Sequence, residues 1–183
     1  LCVLMIDTQG IFWTMKSPNE QELVELKGWG LKPRGFPVHV YIPEGQEKVF
    51  SAAGVDYDDT FAIAPYELSA GDWLEVFGLE QTEAAGILLQ KALSRLEQYT
   101  LDDVIELLGT EKVFVNERLA LQNMFGVAKV WGIFGNAKMP EILEPGKISV
   151  IDLSLTPDNV RSLLLALVAK KIKSAMMVDG DVI

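Results

Sequence analysis

The sequence predicts an α/β fold built on a mainly parallel sheet with an all-helical insertion, and three observations carry that prediction. Leu1 to Ile6 is a continuous apolar run without polar alternation, as expected of a parallel strand covered on both faces, and further strand runs follow at Val38 to Ile42 and Ile148 to Ile151. Helical stretches rather than two-residue turns separate the early runs, which requires crossover connections and parallel pairing. Between Ser69 and about Phe134 the pattern changes to helix after helix. The organisation predicted is therefore an α/β core over 1–65 and 136–183, interrupted by a helical insertion over 66–135.

Each element has a local cause. The first run stops at Asp7-Thr8-Gln9-Gly10, and Ser17-Pro18-Asn19 supplies capping chemistry for a helix over 19–28. Gly28, Gly30, Pro33, Gly35 and Pro37 make the following segment a loop, which carries Lys27, Lys32 and Arg34. Val38 to Pro43 is the second strand, a short helix follows near 46–53, and Thr60 to Ala64 is a third strand ended by Pro65. Ser69 with Asp72, and Thr100 with Asp103, are capping-box starts. Leu88, Leu89, Ala92, Leu93 and Leu96 recur at helical spacing, and Gly109 is placed to stop the next helix. A helix centred on 119–125 is followed by Val130 to Phe134, which reads as a strand. Lys147 to Asp152 restores the sheet. Thr156-Pro157 then opens a helix over 157–174, with Lys170, Lys171 and Lys173 in its last turns, where cations complement the helix dipole.

Composition excludes several classes. With 183 residues, 49% of them hydrophobic and 23% charged, the chain is long enough for a core of its own and is neither disordered nor a disulfide scaffold. A net charge of −10 repels phosphate backbones and anionic membranes, so any nucleic-acid contact must be local. The aliphatic run from Leu163 to Ala169 is far shorter than the ~20 residues of a membrane-crossing helix. The single Cys2 allows no intrachain disulfide, which fits a reducing, cytoplasmic compartment. An apolar run from Leu1 onward has the wrong shape for a signal peptide and suits a chain that begins inside a domain. His39 alone makes no metal site, Asp179-Gly180-Asp181 lacks the further ligands of a calcium loop, and no metal ligands are predicted.

Two strand ends carry candidate chemistry. Asp7 and Asp152 each terminate an apolar strand, and parallel strands deliver such acids to the carboxyl edge where open α/β sheets bind ligands. An acid at that edge can orient water, a metal-bound phosphate or a basic neighbour; it can also simply cap the turn that follows. No G-x-x-x-x-G-K-[ST] phosphate loop occurs in the sequence, Gly146-Lys147 lacks its upstream glycine, and no strand ends in adjacent acids.

Leu1-Cys2-Val3-Leu4-Met5-Ile6-Asp7-Thr8-Gln9-Gly10-Ile11-Phe12 and Leu143-Glu144-Pro145-Gly146-Lys147-Ile148-Ser149-Val150-Ile151-Asp152-Leu153-Ser154 together resemble the archaeal HerA group of the HerA/FtsK ATPases. These are RecA-like hexameric DNA translocases. In that family an acid-x-x-Gly turn follows the strand after the phosphate-loop helix, and a P-G-K-I-S-V-I-D-L-S-like strand precedes the Walker B strand. The resemblance implies catalytic roles at Asp7 and Asp152 and cofactor contact at Gln9 and Gly10. It also implies ATP and Mg in the complete parent protein, a homo-oligomeric ring on double-stranded DNA, and a nuclease partner in DNA-end processing. Lys27, Lys32 and Arg34 are the candidate DNA-facing residues, because their loop is locally basic. The chain departs from the family pattern in lacking both nucleotide-binding motifs and in carrying Ile11 and Phe12 where many relatives have Glu after the Gly. It therefore looks like the middle of a motor, inactive by itself. A second reading is a non-catalytic α/β interaction module that binds a protein through its acidic surface.

Overall fold

The computed structural model describes residues 3–135 and 146–178. Its elements are β1 (Val3–Asp7), α1 (Leu23–Gly28), β2 (Val38–Pro43), α2 (Glu47–Ala52), β3 (Asp59–Phe61), α3 (Ala70–Phe77), α4 (Ala84–Leu93), α5 (Leu101–Thr110), α6 (Val115–Val130), β4 (Ile148–Asp152) and α7 (Asp158–Val178). Short 3-10 turns occupy Phe12–Lys16, Glu44–Gln46 and Pro65–Glu67. The sheet is four-stranded and parallel, in the order β1-β4-β2-β3, which is the α/β class that the apolar runs require.

The chain divides into two compact units. The first comprises 1–42, 48–59 and 141–183, and the second 43–47 and 60–140. The second unit holds the helices of the 66–135 region together with 60–65 and the short segment after β2. In the first unit, β4 lies between β1 and β2, with Val150 and Ile151 fully buried, and α7 contributes Val160, Leu164 and Val168 to the same core. In the second, α3 to α6 surround Trp73, whose ring lies 4.9 Å from that of Phe125 and 5.2 Å from that of Phe134. Trp73 Nε1 donates to the Tyr99 hydroxyl at 3.2 Å, so this fully buried indole N–H has a partner. Burial pushes the Tyr99 hydroxyl above its usual pKa, against the opposing hydrogen bond from Trp73.

Both capping boxes form as the sequence predicts: Ser69 and Thr100 each exchange side-chain and backbone hydrogen bonds with Asp72 and Asp103. The backbone N–H of Thr100, and then its hydroxyl, lower the pKa of Asp103.

Several expectations need correction. Val130 to Phe134 is not a strand: α6 runs through Val130, Gly132 turns the chain at φ +66°, and only Phe134 bridges to Ile63. Gly109 lies inside α5 and does not end it. The helix expected over 19–28 is confined to Leu23–Gly28, because the Asn19 side chain accepts from Gln21 and Glu22 N–H in a turn ahead of it. α7 extends through Val178, so Lys170, Lys171 and Lys173 precede its last turn and do not serve its C-terminal dipole. His39 occupies a strand position, as expected, with Nε2 3.1 Å from Asp59 Oδ2. Cys2 and Asp179-Gly180-Asp181 lie outside the described residues. Among those described, no helix is long and apolar enough to cross a membrane.

Candidate functional site

β1 and β4 pair in parallel with Asp7 directly opposite Asp152, so one carboxyl edge holds both acids side by side. Leu153 N donates to the Asp7 carbonyl at 2.8 Å, carrying the ladder one residue past the strand end. Both side chains are buried, Asp7 at 1% exposure and Asp152 at 0%.

Their surroundings differ sharply. The Asp7 carboxylate accepts four backbone N–H groups: Gln9 and Gly10 on Oδ1 at 2.9 and 2.8 Å, and Ile11 and Phe12 on Oδ2 at 2.8 and 2.7 Å. One side chain thereby organises the whole turn leading into Phe12–Lys16. The same bonds occupy the N–H groups that would otherwise form an anion cradle at this edge. Gly10 sits at φ +71°, and a Cβ there would come within 2.7 Å of Ser154 Oγ, so glycine is required both by conformation and by the close approach of the two strand-end loops. The Gln9 side chain is exposed.

Asp152 is incompletely satisfied. Its Oδ1 accepts Ser154 N–H at 2.8 Å, while Oδ2 is buried with no hydrogen-bond partner. Burial pushes this carboxyl above the usual carboxylate range and the Asp7 charge adds to the shift, with the Ser154 hydrogen bonds acting in the opposite direction. A buried acid in this state suits either proton retention or an incoming donor.

Arg161, on the first turn of α7, fixes the loop beyond Asp152. Its guanidinium donates to the carbonyls of Leu153, Ser154 and Thr156 at 3.2, 3.1 and 2.9 Å, and pairs with Asp158 at 3.3 Å. Arg161 is not singled out from the sequence alone. The available signal was an arginine one turn after a Pro-initiated helix start, at the distance needed to reach back over the preceding loop.

Lys27, Lys32 and Arg34 are all exposed on the segment after Leu23, and Arg34 stacks over the Phe36 ring at 5.7 Å. Among the described residues no hydrogen bond or ion pair connects them to the acidic edge. The root of their loop is nevertheless pinned to the segment that follows the Asp7 turn. Phe36 N donates to Met15 O at 2.9 Å, and Gly35 lies so close to Lys16 O that a Cβ would stand 2.0 Å from it. The structure thus brings together Asp7, Gly10 and Asp152 at one edge and places Lys32 and Arg34 on a separate exposed loop, while Lys27, expected on that loop, lies in the last turn of α1.

No protein-family model matches the chain, and no curated protein matches it in sequence.

Proposed function

We propose that this chain forms part of a RecA-like, ATP-driven ring motor that moves double-stranded DNA, and that Asp152 is its working carboxylate. The observation that carries this reading is the in-register pair of strand-end acids, one fully bonded and the other left with a buried, unpaired oxygen. Open parallel sheets bind ligands at this edge, and buried polar groups without partners concentrate at functional sites. Asp7 holds the turn rather than reacting, and Gly10 permits that turn to pack on Ser154.

The chain's own residues fit only part of a nucleotide site. Asp152 can accept a proton or face a cation, but the turn N–H groups are already bonded to Asp7, and the sequence contains no phosphate loop. Phosphate binding, Mg coordination and any nuclease partnership in this reading belong to parts of the parent protein outside this sequence. Lys27, Lys32 and Arg34 face DNA in the assembled ring, six copies concentrating a positive charge that one copy scatters.

The interaction-module reading is favoured by one observation, the use of the Asp7 carboxylate as a turn organiser. DNA-stimulated ATP hydrolysis by the intact protein separates the two. The motor reading expects turnover that falls at least about tenfold, roughly 1.4 kcal/mol in barrier height, in Asp152→Asn with folding retained. Absence of turnover in the intact protein, or full turnover in Asp152→Asn, overturns it.

A further inference from the structure

We infer that the solvent face of α6 is a self-association surface, and that its occupant is α6 of a second copy of this chain, laid antiparallel about a two-fold axis. The inner face of α6 packs Leu121, Phe125 and Ala128 against its own unit, each fully buried. On its outer face Asn116, Leu119, Ala120, Asn123, Val127 and Val130 are all exposed, and none is charged. Val130 reaches 84% exposure. Lys129 is the one exposed charge on the helix, and it is paired with Asp102.

Three arguments identify the occupant. The first is charge: a chain of net charge −10 repels its own copies, and screening over about 8 Å at physiological salt leaves an uncharged face as the side on which two copies approach at least cost. The second is pattern. Asn116, Leu119, Asn123, Gly126 and Val130 follow alternating spacings of three and four, the seam of a helix pair. With Asn123 on the axis, Leu119 of one copy faces Val127 of the other and Ala120 faces Gly126. A Cβ added at Gly126 meets nothing within 4 Å, so the helix surface there is open to a close neighbour. Two Asn123 amides can exchange donor and acceptor across the axis and so fix the register, with the second seam asparagine, Asn116, at the end of the contact beside Val130 of the other copy. The third is size. The 16 residues of α6 span about 24 Å, a contact at the low end of specific interfaces, which makes the pair reversible rather than obligate. This inference does not depend on the motor reading, since it concerns the second unit alone.

Sedimentation of the chain between about 1 µM and about 300 µM tests it, together with four variants. The expected result is a monomer at the low end and a dimer at the high end. Leu119→Glu should weaken dimerisation by about tenfold or more, and Gly126→Leu should do so while keeping or raising helix content by circular dichroism, since leucine is the better helix former. In a Cys2→Ser background, Asn123→Cys should oxidise to a covalent dimer, and Val24→Cys, exposed on the other unit, should not. A monomer throughout the range overturns the inference. So does a dimer that resists both Leu119→Glu and Gly126→Leu, or covalent dimers formed equally by the two cysteine variants.

Discussion

Asp7 and Asp152 are the same residue type at the same register position, yet their hydrogen bonds assign them opposite tasks. Asp7→Asn should be strongly destabilising, by about 3 kcal/mol, because one amide face presents a donor to N–H groups that need an acceptor. Urea denaturation checks this, and an unchanged midpoint would deny Asp7 its role in the turn. Asp152→Asn should instead stabilise the fold at neutral pH, by about 1 kcal/mol, since it removes a buried charge and keeps the carbonyl that accepts Ser154 N–H. The folded pKa of Asp152 is raised, so its favourable contribution is complete below the ordinary value of 3.8 and is lost as pH rises through the folded pKa. The advantage of the asparagine variant should therefore vanish in acid. Thermal melts across pH read that crossover; a stability gap independent of pH would mean that Asp152 is not the strained acid described.

The segment Phe12–Lys16 shows how an element without regular length is held. Lys16 Nζ lies 2.8 Å from Asp58 and 3.5 Å from Asp56, and donates to the Asp56 carbonyl at 3.0 Å. Burial works against the Asp58 carboxylate, but Lys16 and the Val40 N–H outweigh it and leave its pKa below the ordinary value of 3.8. That stabilisation is present above 3.8 and disappears as pH falls through the folded value. Lys16→Met should then lose about 1 kcal/mol at neutral pH, a partly exposed pair being worth no more, and should match the parent protein in acid. None of this network was legible in sequence, because Lys16 lies 40 or more residues from Asp56 and Asp58 and only the fold brings them, and the Val40 N–H, together. The features that were legible are local. Ser69 with Asp72 and Thr100 with Asp103 specify helix starts within four residues, and the apolar runs ending at Asp7 and Asp152 specify buried parallel strands. Val130 to Phe134 misled for the corresponding reason: an unbroken apolar run fits a strand and a helix end equally well, and Gly132 at φ +66° decides between them. The shared edge of Asp7 and Asp152 follows from parallel strands alone, whereas the bonding that separates their roles depends on how the next four residues turn.

At the scale of the whole molecule, net charge and its distribution govern what the protein can hold. Three cations and no acid occupy 27–37, while the chain as a whole carries −10. An isolated chain should therefore not retain duplex DNA at physiological salt, because affinity of this kind comes from neutralising phosphates and releasing counterions. In the ring proposed above, copies of Lys27, Lys32 and Arg34 facing one duplex would act on it together. Affinity should then depend on oligomerisation and fall steeply with salt. Replacing Lys32 and Arg34 by Ala should weaken binding in the assembled protein and flatten the slope of log affinity against log salt by up to about two units for each copy in contact. Folding should survive, because both side chains are exposed and the loop root is held instead by Phe36 N on Met15 O and by the close seat of Gly35 on Lys16. Fluorescence titration of a labelled duplex at several salt concentrations measures both quantities. An unchanged affinity with an unchanged slope would remove the loop from the DNA path while leaving the acidic edge at Asp152 to be judged by turnover alone.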